Sequence, residues 1–177
     1  MIAKLKELES SGKLLEILSN PENLKTLDVD YHPPRVERLW AQVDEHHRIY
    51  FHLIHPCKRE EALYHPHPWP SAMHLLSGGY EMGLSCGEVG EGGHEVSKLL
   101  LPAGTYYEML DTEGWHYVRP VNEICASVML TGKPWDKWQD KKSSKKLEAI
   151  TLERAEEIRI WFWEFYRLGH HSTKLLQ

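Results

Sequence analysis

The segment Tyr64-His65-Pro66-His67-Pro68-Trp69-Pro70-Ser71 holds two histidines two positions apart. On an extended chain, side chains at that spacing point to the same side. The interleaved prolines forbid a helix and favour an extended backbone, so both imidazoles can approach one ion. On spacing alone, a solvated His-Pro-His turn is the competing reading. A third histidine, His116, sits in the apolar stretch Gly114-Trp115-His116-Tyr117-Val118. An unpaired imidazole is costly to bury there, so His116 reads either as a third ligand or as a core histidine with a hydrogen-bond partner. The chain carries 12 histidines and 7 tryptophans, both well above ordinary usage. Neutral imidazole is the commonest nitrogen ligand of transition metals, so a metal centre is worth seeking.

Three neutral ligands would leave a divalent ion its full charge and several open positions. Such a site attracts an anionic small molecule and can act as a Lewis acid or, with iron, in dioxygen chemistry. Arg119 or Arg48 could grip a substrate carboxylate with its guanidinium fork, although each also reads as an ordinary surface residue. Tyr107 could carry a proton. Tyr107, Glu81 and Glu108 are candidates to orient the imidazoles. His74 has opposite parity to His65 and His67, and His52 and His55, three apart, cannot share a face of a regular strand. His46-His47 and His170-His171 lie in polar surroundings.

Positioning these residues requires strands. Arg48 to Ile54 and Ile124 to Leu130 read as strands, and glycine- or proline-bearing turns recur at Gly78-Gly79, Gly87 to Gly93, Pro102 to Gly104 and Thr112 to Gly114. Several short strands at this spacing predict a sandwich or barrel rather than alternating βαβ units. Ahead of them, Ile2, Leu5, Leu8, Leu14, Leu15 and Leu18 fall at helical spacing with a break at Gly12, and Asn20-Pro21-Glu22 predicts a short second helix through Leu27. Pro33-Pro34 ends any helical continuation. After a polar connection over Gly132 to Lys146, Thr151 to Leu168 returns to helical spacing. There Ile158, Trp161, Phe162, Phe165 and Leu168 form a broad apolar face for docking or for a homodimer. The expected organisation is one domain: a helical segment and lead-in over 1–44, a β-barrel over 45–132, and a linker with an amphipathic helix over 133–177.

The order of these features resembles the cupin superfamily, over about residues 45–132. His65-x-His67 followed by Met73-His74-Leu75-Leu76-Ser77-Gly78 is similar to the family's first motif, and Pro102-Ala103-Gly104 followed by His116 is similar to its second. The resemblance implies a mainly β fold, the double-stranded β-helix or jelly-roll barrel, with flanking N- and C-terminal helices. It implies metal ligation by His65, His67 and His116, although Tyr107 stands where the second-motif histidine usually falls, and His116 requires a longer hairpin. Ser71 occupies the position of the usual glutamate ligand. A three-histidine cupin without that glutamate resembles the thiol dioxygenases, which implies Fe(II), with Zn, Ni or Mn as alternatives. The cross-linked Cys–Tyr pair of that family is missing: Ser71 stands at the cysteine position and Thr131 near the tyrosine position. Ser71 joins Arg48 and Arg119 as a substrate-side candidate. The implied activity is a mononuclear metal oxidoreductase, a dioxygenase acting on a small anionic molecule. A non-catalytic small-molecule or metal-binding cupin, and a metal-dependent isomerase or lyase using Tyr107, are the alternatives.

Bulk properties narrow the classes further. A net charge of -5 with no basic stripe argues against nucleic acid, and the run Lys137 to Lys146 reads as a solvated linker. No apolar stretch approaches a membrane span, and the N-terminus lacks a signal-peptide core. Three cysteines without ligand spacing suggest buried thiols in a reducing, cytoplasmic setting.

Overall fold

The N-terminal leucines fold as two short helices, α1 (Ile2–Ser10) and α2 (Lys13–Leu18), separated at Gly12, whose φ of 77° suits a residue without a side chain. The structure is a computed structural model and describes residues 1–30, 33–136 and 148–169. The lysine run Lys137 to Lys146 and His170-His171 lie outside the described residues.

Asn20-Pro21-Glu22 opens only one 3₁₀ turn (Pro21–Asn23) and not a helix reaching Leu27. Leu24 is extended, and Lys25–Val29 forms strand β1, paired antiparallel with β2 (Val36–Gln42). That ladder gives the Lys25–Val29 backbone the hydrogen bonds a second helix would have supplied. Strand structure therefore begins well before Arg48. There follow β3 (Arg48–Ile54), β4 (His65–Pro66), β5 (Ser71–Ser77), β6 (Gly79–Cys86), β7 (His94–Pro102), β8 (Tyr106–Met109), β9 (Gly114–Pro120) and β10 (Cys125–Thr131), then helix α3 (Leu152–Arg167).

The strands form two antiparallel sheets, one ordered β1-β2-β3-β10-β5-β8 and one ordered β4-β9-β6-β7. Alternation sorts the larger sheet's side chains. Ile49, Phe51 and Leu53 of β3, with Ala126, Val128 and Leu130 of β10, share a buried cluster with the helices. The opposite parity, including Tyr50, Ile54, Met73 and Met129, faces the smaller sheet. The apolar face expected on α3 is thus occupied by the chain's own sheet: Ile158, Trp161, Phe162 and Phe165 are buried, and Phe162 meets Phe51 at 5.2 Å between ring centroids. Leu168, at the helix end, stays exposed. Truncating a fully buried phenylalanine such as Phe162 costs about 3–5 kcal/mol.

Two buried carboxylates pin the helices to the sheet. Glu9 of α1 accepts hydrogen bonds from His74 (2.6 Å), Tyr106 (2.6 Å) and Tyr166 (2.9 Å), joining α1, β5, β8 and α3. Glu37 of β2 accepts a two-pronged contact from Arg154 of α3, at 2.9 Å for each bond, and a third from His55 at 2.8 Å. Thr151 caps α3 by accepting from the Arg154 amide at 3.2 Å. Among the described residues no helix is long and apolar enough to cross a membrane.

Candidate metal centre and cavity

In the smaller sheet, β4 pairs with β9 so that His65 stands directly opposite His116. His67, two residues beyond His65, falls on the same side. One ligand-capable nitrogen from each of the three lies within 4.8 Å of the others. The Nε2 atoms of His67 and His116 are 2.8 Å apart. Two nitrogens bound at right angles to one ion, each about 2.1 Å from it, lie about 3 Å apart, so the spacing fits a shared divalent metal.

The remaining ring nitrogens favour the tautomers that coordination needs. His116 Nδ1 lies 3.5 Å from Met82 Sδ, and His65 Nδ1 lies 3.3 Å from the Leu63 carbonyl. A proton on each Nδ1 leaves each Nε2 lone pair directed at the cluster. Burial, then repulsion from His65 and His67, holds His116 well below the ordinary imidazole range. Burial, then His65 and Arg38, brings His67 down to about 3. Both are therefore neutral at physiological pH, the state that binds a metal.

The cluster lines a cavity of about 640 Å³ between the two sheets, within the size range of small-molecule sites. Trp69 and Trp115 flank the histidines, and Met73, Met129 and Val118 contribute apolar wall. Tyr107 also lines it, from β8 in the opposite sheet and outside the histidine cluster. Its hydroxyl is 2.5 Å from that of Tyr80, and burial pushes the Tyr107 phenol up from its ordinary value. Between Tyr107 and His116, the metal-ligand geometry therefore falls to His116.

The other substrate-side candidates do not line this cavity. Arg119 is three positions from His116, hence on the opposite face of β9, and sits 3.5 Å from Glu81. Arg48 begins β3 at the sheet's end, over the Trp40 ring at 5.4 Å and 3.4 Å from the Gln42 side-chain oxygen. Ser71 is fully buried and pairs across the ladder with Thr131. Neither Glu81 nor Glu108 orients an imidazole: Glu81 accepts from Tyr117 at 2.6 Å on the outer face, and Glu108 accepts from the Ile2 amide at 3.0 Å. His74 faces the helices and Glu9.

In their place the cavity holds a polar row from the larger sheet. Arg38 of β2 is directly opposite His52 of β3, and His52 is directly opposite Ser127 of β10; all three line the cavity. Nothing in the linear sequence marks them. Both faces of β3 are buried, so its pattern shows no polar alternation to single out His52. Arg38 stands in β2, a strand whose mixed charged and apolar residues hid it. Strand parity and the β2–β3–β10 order, had they been known, would have found both.

No protein-family model matches the sequence, and no curated protein matches it. Among solved structures, the chain is similar to Fe(II)-HppE with alternative substrate (S)-1-HPP, at 15% identity and a TM-score of 0.47, covering 63% of this chain and 57% of that one. It is similar to hydroxypropylphosphonic acid epoxidase from S. wedmorenis, at 15% identity and a TM-score of 0.47, covering 63% of this chain and 56% of that one. It is also similar to AerE from Microcystis aeruginosa, at 16% identity and a TM-score of 0.45, covering 73% of this chain and 55% of that one. The chain thus spans little more than half the length of each.

Proposed function

We propose that the chain is a mononuclear metal protein of the cupin type, an oxidoreductase that uses dioxygen on a small anionic molecule. The observation that carries this reading is the convergence of His65, His67 and His116 nitrogens within 4.8 Å on the wall of a cavity between the sheets. Fe(II), if bound by the three imidazoles, would supply Lewis-acid and one-electron redox chemistry. The chain's own residues do the rest. His65, His67 and His116 would hold the ion from one wall, with the Leu63 carbonyl and Met82 sulfur fixing two of the rings. Trp69, Trp115 and the methionines exclude water from the reacting volume. Tyr107 and Tyr80 present a hydroxyl pair at the opposite wall, and with its phenol pushed up Tyr107 keeps its proton at neutral pH and can act as a hydrogen-bond donor.

The test is elemental analysis of untagged protein beside His65→Ala, His67→Ala and His116→Ala, followed by anaerobic iron loading and dioxygen uptake with a panel of small thiols. Near-stoichiometric metal, lost in each variant, with uptake in the loaded wild type, is the expected result. Bound iron with no uptake on any thiol removes the thiol-oxidising version and leaves a metal-dependent isomerase, a lyase or a binding protein. Protein that contains no metal and refuses reconstitution overturns the metal reading itself.

A further inference from the structure

Within the polar row on the larger sheet, His52 has a cost that its apolar neighbours do not share. Val36, Ile54, Met73 and Met129 make the surrounding wall apolar, and polar groups set in such a wall are destabilising unless something satisfies them. His52 is 5% exposed, and its Nε2 has no hydrogen-bond partner among the described residues. Burial, then the nearby Arg38 and His67, keeps this ring neutral. A neutral imidazole carrying its proton on Nε2 leaves an unused donor on a residue that lines the cavity. Arg38 lies with its guanidinium carbon 5.7 Å from the Tyr50 ring centroid, so an aromatic face supports the planar fork. Ser127, 1% exposed, adds a hydroxyl at the next strand.

We infer that Arg38, His52 and Ser127 form an oxyanion subsite, separate from the histidine cluster and facing it across the cavity. This rests on the reading of the cavity as a small-molecule site. The substrate class it defines is a two-headed small acid. One end carries a carboxylate or a phosphate-like group for Arg38 and His52, the middle is apolar, and the other end carries the atom that meets the metal. A cation and a neutral donor side by side, with apolar surroundings, discriminate charge strongly, because the fork and the Nε2–H each gain a charge-assisted bond with an oxyanion and not with an amide.

The experiment is a ligand-observed NMR titration with propionate, propyl phosphate and propionamide. It uses wild-type protein, Arg38→Gln, Arg38→Lys, His52→Phe, His52→Gln, and His65→Ala as the variant stripped of a metal ligand. At least one acid is expected to bind about tenfold more tightly than the amide, and whichever acid does so identifies the headgroup. Arg38→Gln should erase the preference and Arg38→Lys should keep part of it, while His52→Gln should retain what His52→Phe loses. The preference should survive in His65→Ala. Equal binding of the amide and both acids overturns the subsite, as does a preference that persists in Arg38→Gln. Loss of the preference in His65→Ala also overturns it, since the anion would then sit on the metal. Wild-type protein devoid of metal that still shows an Arg38-dependent preference would sink the metal reading and leave the subsite standing.

Discussion

His65 on β4 and His116 on β9 are direct cross-strand partners, yet β4 is only two residues long. The short strand cannot hold its own position; the placement of His65 is inherited from β9 and from what packs on the outer face of β9. There Tyr117, fully buried, meets Tyr64 edge-on at 5.0 Å and lies under the Arg59 guanidinium at 3.9 Å, so the segment leading into β4 is clamped beside the histidines.

Gly83 of β6 is where that clamp is most exposed to mutation. A side-chain carbon at this position would lie 2.0 Å from Tyr117 Cε1, a contact no rotamer change on β6 can relieve. Gly83→Ala should push the Tyr117 ring off the sheet, cost about 1–3 kcal/mol, and loosen the His65–His116 register. Thermal denaturation and metal titration should fall together. A variant with wild-type stability and metal affinity would show that the outer face does not position the centre.

Met82 tests the inner support. Its sulfur is the partner of His116 Nδ1 at 3.5 Å. Met82→Leu conserves volume and apolar burial while removing the acceptor, so stability should change by less than about 1.5 kcal/mol. Metal affinity should fall about 10-fold or more, because the ring loses the contact that fixes its tautomer. Competition with a chromophoric chelator measures this; unchanged affinity would assign the orientation of His116 to packing alone.

What the sequence reveals follows from how local each signal is. His65-x-His67 is legible because period-two geometry is written within three residues, and β3, β10 and α3 because their apolar runs are long. β1 and β2 are not. Their polar residues Asp28 and Glu37 look solvent-facing, yet Glu37 is buried by a partner, Arg154, that lies 117 positions away. The same distance effect hides the anion row, since Arg38, His52 and Ser127 become neighbours only through a strand order that places β3 between β2 and β10. Arg119 reads as a clamp from its residue type alone, but three positions from His116 it lies on the opposite face of β9 and outside the cavity.

Glu37 also sets an acid limit on the fold. Burial alone would raise its carboxyl, but hydrogen bonds from His55 and Arg154 and the Arg154 charge outweigh that and bring it down to about 2. The folded value is thus below the unfolded one, so its contribution is fully present above about pH 4.5 and is lost as pH falls toward 2. Glu37→Gln should lower stability near neutrality by about 2–4 kcal/mol, since Arg154 and His55 lose a buried counter-charge. It should also flatten the decline of stability between those two pH values. Urea titrations at a series of pH values measure both effects. A wild-type slope in the variant would mean that another carboxylate, Glu9 being the first to examine, governs acid unfolding.

Metal release should follow the same logic with the opposite kind of group. An ordinary imidazole competes with a metal for protons near pH 6.5, but His67 is held at about 3 and His116 well below its usual range. Protons therefore become competitive at this centre only in markedly more acid solution, and bound metal should remain through dialysis at pH 6 and pH 5. Chelation at pH 7 should lower the melting temperature, because an ion that binds only the folded chain contributes about 2.7 kcal/mol at a hundredfold excess over Kd. His116→Ala should melt at one temperature with and without chelator. Elemental analysis after each dialysis step and paired melting curves decide the matter: release beginning at pH 6.5, as for solvent-exposed histidines, would show that His67 and His116 are not held neutral by their burial.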